Sequence, residues 1–122
     1  MTMTREFDAG LVLSAFDGEV SDVKALVVLV SASIPAYVAD LRAARTAGDT
    51  KKMAFMAHTI GGAVGNVGAV RLAGLTRELQ EMVRGGVPVT NEAIVAIEKA
   101  TGEMLTSITA WADSLGLSGE QA

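Results

Sequence analysis

The sequence predicts an all-α protein, an up-and-down four-helix bundle with a short extra helix at its N-terminus. Three observations carry that expectation. Apolar residues recur at spacings of three and four along long segments, the period of a helix with one buried face. Half of the residues are apolar but only 4% are aromatic, a composition suited to closely packed helices. The two prolines and the clustered glycines leave four long stretches between breaks, and no strand-like alternation competes with them.

The elements follow in order. A short helix is expected from about Ala9 to Phe16, with Asp8 as N-cap and Gly18 behind it. Ser21 can cap a long helix, about Asp22 to Ala47, whose apolar face reads Val23, Leu26, Val27, Val30, Ile34, Val38 and Leu41. Pro35 should kink it or break it just before that residue, because proline removes a helical donor and crowds the preceding turn. Gly48-Asp49-Thr50 forms a turn and cap, and the next helix runs from about Lys51 to Val67. After a corner at Gly68, a helix covers Val70 to Arg84 and stops at Gly85-Gly86-Val87-Pro88. Thr90 or Asn91 caps a last helix to about Leu115, with Ile94, Ile97, Met104, Leu105, Ile108, Trp111 and Leu115 on its apolar face. The tail from about 118 is expected to fray. Short connections make neighbouring helices antiparallel, so the expectation is one domain over 1–122 with the first helix as a lid.

Composition also excludes. With 122 residues and no cysteine, the chain needs no disulfide to fold and has no thiolate for a metal site. A net charge of −4 argues against a nucleic-acid partner. The longest aliphatic run, Ala25 to Val30, is far shorter than the ~20 residues of a membrane span, and the opening residues lack the apolar stretch of a signal peptide. A cytoplasmic location with no membrane partner is therefore expected.

His58 is the only histidine. A lone histidine on a helix is ordinarily a packed or capped structural residue, and geometry decides against that here. With Ile60 at the centre of its helix's apolar face, Met53, Met56, Ala57, Ala63, Val64 and Val67 fall within about 60° of the centre, and His58 about 160° away. The outer half of the helix also carries Lys51, Ala54, Phe55, Gly62 and Gly65, with Gly61 at its margin. Three glycines inside a helix cost about 3 kcal/mol relative to alanine if independent. Bare backbone beside an imidazole makes sense if something bulky must reach the ring. The competing explanation is packing: Gly61 and Gly65, four apart, would let another helix approach closely. Other chemistries fall away. One histidine without cysteine makes no ordinary zinc site. No elbow motif surrounds any serine. The glycine-rich stretch from Gly61 to Gly68 lacks the Lys-Ser/Thr pair and the preceding strand of a phosphate-binding loop.

The run Ala57-His58-Thr59-Ile60-Gly61-Gly62, followed by Asn66, Gly68, Leu72 and Leu79-Gln80, resembles the histidine-containing phosphotransfer (HPt) domains of phosphorelays. Upstream, Leu41 to Asp49 and Pro35 are similar to the family's approach to its histidine helix, so the resemblance covers about Phe7 to Arg84. The last helix matches in length and polarity only. The resemblance implies a phosphocarrier that is not itself an enzyme and holds no cofactor or metal. His58 would accept a phosphoryl group, through Nε2 as the ring nitrogen projecting furthest. The donor would be the aspartate of a receiver domain, which also supplies Mg²⁺, and a second receiver would take the group on. A hybrid histidine kinase is a further implied partner, and the module itself is expected to be a monomer. Gln80 and Arg84 match positions beside the histidine, Gln80 to fix the ring's tautomer. Gly62 would keep the approach clear, with Phe55, Ala54 and Gly65 as docking contacts. One position departs from the pattern. The family's lysine three residues after the histidine is Gly61 here. The cations available to compensate are Lys51, about two turns before His58, and Arg84 or Arg77 on the adjacent helix. Arg84, one turn beyond Gln80, is the first choice, and Gly61→Lys is expected to restore part of what Arg84→Ala loses. The alternative function is an interaction module that binds a receiver or kinase, or dimerises through the glycine face, without transfer.

Overall fold

The computed structural model describes residues 20–65 and 69–114. They form four helices: α1 (Val20–Ala47), α2 (Thr50–Gly65), α3 (Val70–Arg84) and α4 (Asn91–Ser114). The expected helix at Ala9–Phe16, the ends at Val67 and Leu115, and the tail lie outside the described residues. Each helix packs on two others, α1 on α2 and α4, and α3 on α2 and α4, which closes a square bundle. Short connections make neighbours antiparallel.

The turns explain where the helices stop. Gly48 sits at φ 72°, a left-handed conformation that costs glycine little. Its N–H donates to Arg45 O at 3.0 Å and that of Asp49 to Ala44 O at 2.9 Å, which satisfies the last carbonyls of α1. Asp49 then caps α2, its Oδ1 accepting from Lys52 N at 3.0 Å. The same device ends α3: Gly86 is at φ 71° and bonds Val83 O, while Val87 N reaches Met82 O at 2.9 Å. Thr90 caps α4, accepting from Ala93 N at 3.2 Å. Between these points the helix of Pro35 continues unbroken, with the proline on its exposed side, so the expected break is absent.

The core sits along the bundle axis. Ile34 and Leu41 from α1, Ile60 and Val64 from α2, Leu72 and Leu79 from α3, and Ile94, Ile97, Met104 and Ile108 from α4 are fully buried. Of the apolar faces read from sequence, Leu26, Ala63, Leu105 and Trp111 are only half-buried. Ala100, Thr101 and Ala112 complete the α4 interior instead. Among the described residues no buried side-chain nitrogen or oxygen lacks a hydrogen-bond partner.

One expectation needs correction. Judged by its longest aliphatic run, α1 is too short for a membrane; as a helix, Lys24–Ala47 contains an 18-residue stretch with a mean hydropathy of 1.6 and is long and apolar enough to cross one by length and composition. Small and weakly polar residues between the aliphatic ones extend the stretch. In the bundle this helix is a wall, with Val27, Val30, Ile34, Val38, Leu41 and Ala44 turned inward and Val28 and Leu29 outward.

Candidate functional site

The sequence of α2 puts its small and apolar residues on opposite sides. Met53, Met56, Ala57, Ile60 and Val64 are buried, and this fixes the rotation of the helix. His58 is thereby exposed, in the middle of a 16-residue helix. The backbone around the ring is continuous helix from Thr50 to Gly65, and beside the histidine Thr59 Oγ1 donates to Phe55 O at 2.9 Å.

His58 opens onto a cavity of about 160 Å³ between α2 and α3, lined also by Gly61, Gly62, Ala73, Thr76, Arg77 and Gln80. Gln80 thus faces the site, as expected, though it makes no hydrogen bond to His58. Arg84 is exposed but does not line the cavity. The cation that does is Arg77, one turn before Gln80 on the same strip of α3. Thr76 and Ala73 belong to the site as well and were not singled out from sequence. The strip 73–77–80–84 is visible in the helical period; which end of it meets His58 depends on how far α3 is shifted along α2, a property of packing.

The glycines divide. A Cβ on Gly61 would lie 2.8 Å from Thr76 Oγ1, a distance real side chains do not tolerate. Thr76 is 1% exposed and its hydroxyl donates to Ala73 O at 2.8 Å, so it is held where it is. Gly61 therefore serves close approach of α2 and α3, and a lysine at that position does not fit against the present Thr76. Any charge gained through Gly61→Lys would therefore come with a shift of Thr76. A Cβ on Gly62 or Gly65 would meet nothing within 4 Å. The packing explanation thus holds at Gly61, while Gly62 is open space beside the imidazole.

The expected docking residues do not share the cavity. Gly65 lines a neighbouring hollow with Ala69, Val70, Ala73, Gly74 and Arg77. Phe55 is 65% exposed and lies over a third hollow with Asp49, Lys51, Lys52 and Met56. Ala54 is half-buried between them. Among the described residues no three metal-ligating side chains cluster.

An outward histidine at a cavity between two helices of such a bundle narrows the field, and comparison with known proteins decides it. The Hpt domain family matches residues 25–111. The chain belongs to the Hpt domain family. The match runs through α4 almost to its end, so the last helix is part of the family pattern and not a match in length and polarity alone. Hpt domains are phosphocarriers rather than enzymes, and they work with receiver domains and kinases in phosphorelays. The fold of this Hpt domain is also that of histidine-containing phosphotransfer protein B (HptB) from Pseudomonas aeruginosa PAO1. The TM-score is 0.83 over 92% of this chain and 98% of that one, at 23% identity. No curated protein sequence matches the chain.

Proposed function

We propose that this Hpt domain is a phosphorelay intermediate that accepts a phosphoryl group from the aspartyl phosphate of one receiver domain onto His58 and passes it to the aspartate of another. The observation that carries the reading is the position of the chain's one histidine: exposed at mid-helix, on regular backbone, at a cavity open to solvent. Histidine offers a neutral ring nitrogen at neutral pH. The Nε2 lone pair forms the new N–P bond as the bond from phosphorus to the aspartyl oxygen breaks, and the electron pair leaves with that carboxylate. The ring keeps its other N–H, for which Gln80 is the nearest amide partner in the cavity wall. The receiver brings Mg²⁺ and most of the charge stabilisation, and in-line positioning is the carrier's contribution. Gly62 leaves the approach unobstructed, and Phe55, Ala54 and Gly65 flank it as docking surface. The module acts as a soluble cytoplasmic monomer.

Incubation with a phosphorylated receiver tests this. Acid-labile, alkali-stable label should appear on the chain and be absent from His58→Gln. Stable binding to the receiver with no label would instead favour the interaction module without transfer, to which the bare Gly61 also points.

A further inference from the structure

A phosphoryl group on His58 would bring about two negative charges into the cavity near neutral pH. The histidine's own helix has no cation to meet them. Its lysines, Lys51 and Lys52, stand in the first turn, about two turns before His58, and its last turn has no basic residue. Position 61 lines the cavity but is bare, and a Cβ there would lie 2.8 Å from Thr76 Oγ1, so a side chain requires Thr76 to move. Threonine is stiff at χ1, and this one is buried and bonded to Ala73 O, so it does not swing aside cheaply.

The residue next to that threonine is Arg77, the cation lining the cavity among the described residues. It is exposed and makes no hydrogen bond or ion pair with any described residue, although Glu78 and Glu81 follow it on α3. Its guanidinium is therefore uncommitted, with planar paired donors that match phosphoryl oxygens. We infer that Arg77 is the phosphoryl-binding cation of this site, reaching from α3 past the Thr76–Gly61 contact that keeps α2 bare. The inference rests on the reading of His58 as the acceptor. The consequence is chemical. Loss of the phosphoryl group to water passes through a loose transition state, in which bonding to phosphorus is weak. A guanidinium on the phosphoryl oxygens holds the phosphohistidine more firmly than that transition state, and slows its loss.

The test uses the full chain and potassium phosphoramidate, a small donor that needs no receiver. The imidazole Nε2 forms the N–P bond as the donor's P–N bond breaks, and the donor nitrogen, already protonated in phosphoramidate, leaves as ammonia with the electron pair of that bond. The decay of the phosphohistidine signal is followed by ³¹P NMR after the donor is removed. Arg77→Ala should shorten the lifetime ~two- to fivefold, the size an exposed ion pair supports, with Arg77→Lys in between and the melting temperature unchanged. Arg84→Ala should keep the wild-type lifetime. Equal lifetimes in wild type and Arg77→Ala, or a loss that appears at Arg84 instead, overturn the inference and leave the acceptor assignment standing. So does an Arg77→Ala protein whose transfer from a receiver is impaired while its lifetime is normal, since Arg77 would then be a docking contact. A wild type that takes no label, or label persisting in His58→Gln, overturns the acceptor assignment and this inference together.

Discussion

The wall formed by α1 and α4 and the face of α2 and α3 around His58 treat their charges differently. Across the first, Arg42 grips Glu98 with two bonds, at 3.0 and 2.7 Å, and reaches Asn91 Oδ1 with a third at 2.6 Å. Arg45 donates to Val89 O, tying the end of α1 to the loop before α4. Arg71 on α3 is likewise spent on Glu103 of α4. On the second lie an unbonded histidine, two unpaired arginines and glycines with open space above them. The lesson is that cations bonded within the bundle hold it in register, while those left unbonded on the His58 side remain available to a visitor. The α2 and α3 helices are also the more basic pair, with five lysines and arginines against two acidic residues where α1 and α4 have four against six, so composition and reach act together.

The sharpest way to break this comparison is at His58. His58→Gln should fold with an unchanged melting temperature and lose all label from a phosphorylated receiver, because no second histidine exists to take it. Next in size is Gly61. Gly61→Lys should destabilise by about 1–3 kcal/mol in denaturant unfolding, the cost of overpacking, and Thr76→Ala in the same chain should recover part of it. If Gly61→Lys is neutral alone, the Thr76 contact does not matter. The adjacent glycine should behave oppositely. Gly62→Gln should gain about 0.5–1 kcal/mol from helix propensity and yet transfer more slowly, since it fills the space beside the ring. A fall in its melting temperature would return Gly62 to a packing role. The smallest effect belongs to the paired wall. The hydrogen bond from Arg42 holds the Glu98 carboxyl below the usual carboxylate range; burial opposes it, and the charge of Arg42 adds a lesser lowering. A carboxylate whose pKa is lowered by folding adds stability above its unfolded pKa, and that stability is lost as pH falls through the folded one. Glu98→Gln should therefore lower Tm by no more than ~4 °C at pH 7, both partners being about one-third exposed, with the gap closing under acid conditions. A gap that stays constant to pH 3 would mean that shape and not charge matters there.

How much of this was legible beforehand depends on the kind of fact. The four long helices, their caps at Asp49 and Thr90 and the outward turn of His58 follow from period and local chemistry. Each is settled within a few residues of chain. The choice between Arg84 and Arg77 is not, because about two turns along α3 separate them and both lie on the same strip, so the axial shift between α2 and α3 decides which one meets the histidine. Gly61 and Gly65 looked alike for the same reason: four apart on one helix, they meet different things only once Thr76 is placed. Pro35 shows the reverse. The local rule against proline in a helix is real, yet a helix held on both sides by buried Ile34 and Val38 runs through it. The apolar length of α1 was missed because only the aliphatic run was counted, without the alanines and serines that keep a helix apolar on average.

An even number of antiparallel helices has a plain topological result. The start of α1 and the finish of α4 emerge at one pole of the bundle, and the glycine turns at Gly48 and Gly86 share the other. His58 lies about 12 Å along α2 from that turn pole, near the bundle's waist. A receiver joined directly to the start of α1 at Val20 or to the end of α4 at Ser114 would thus be tethered at the same pole and search the same equatorial surface, at an effective concentration set by linker length. With linkers of equal length counted from Val20 and from Ser114, moving such a fusion from one helix end to the other should leave the rate of intramolecular transfer almost unchanged, whereas a linker too short to reach the waist should abolish it.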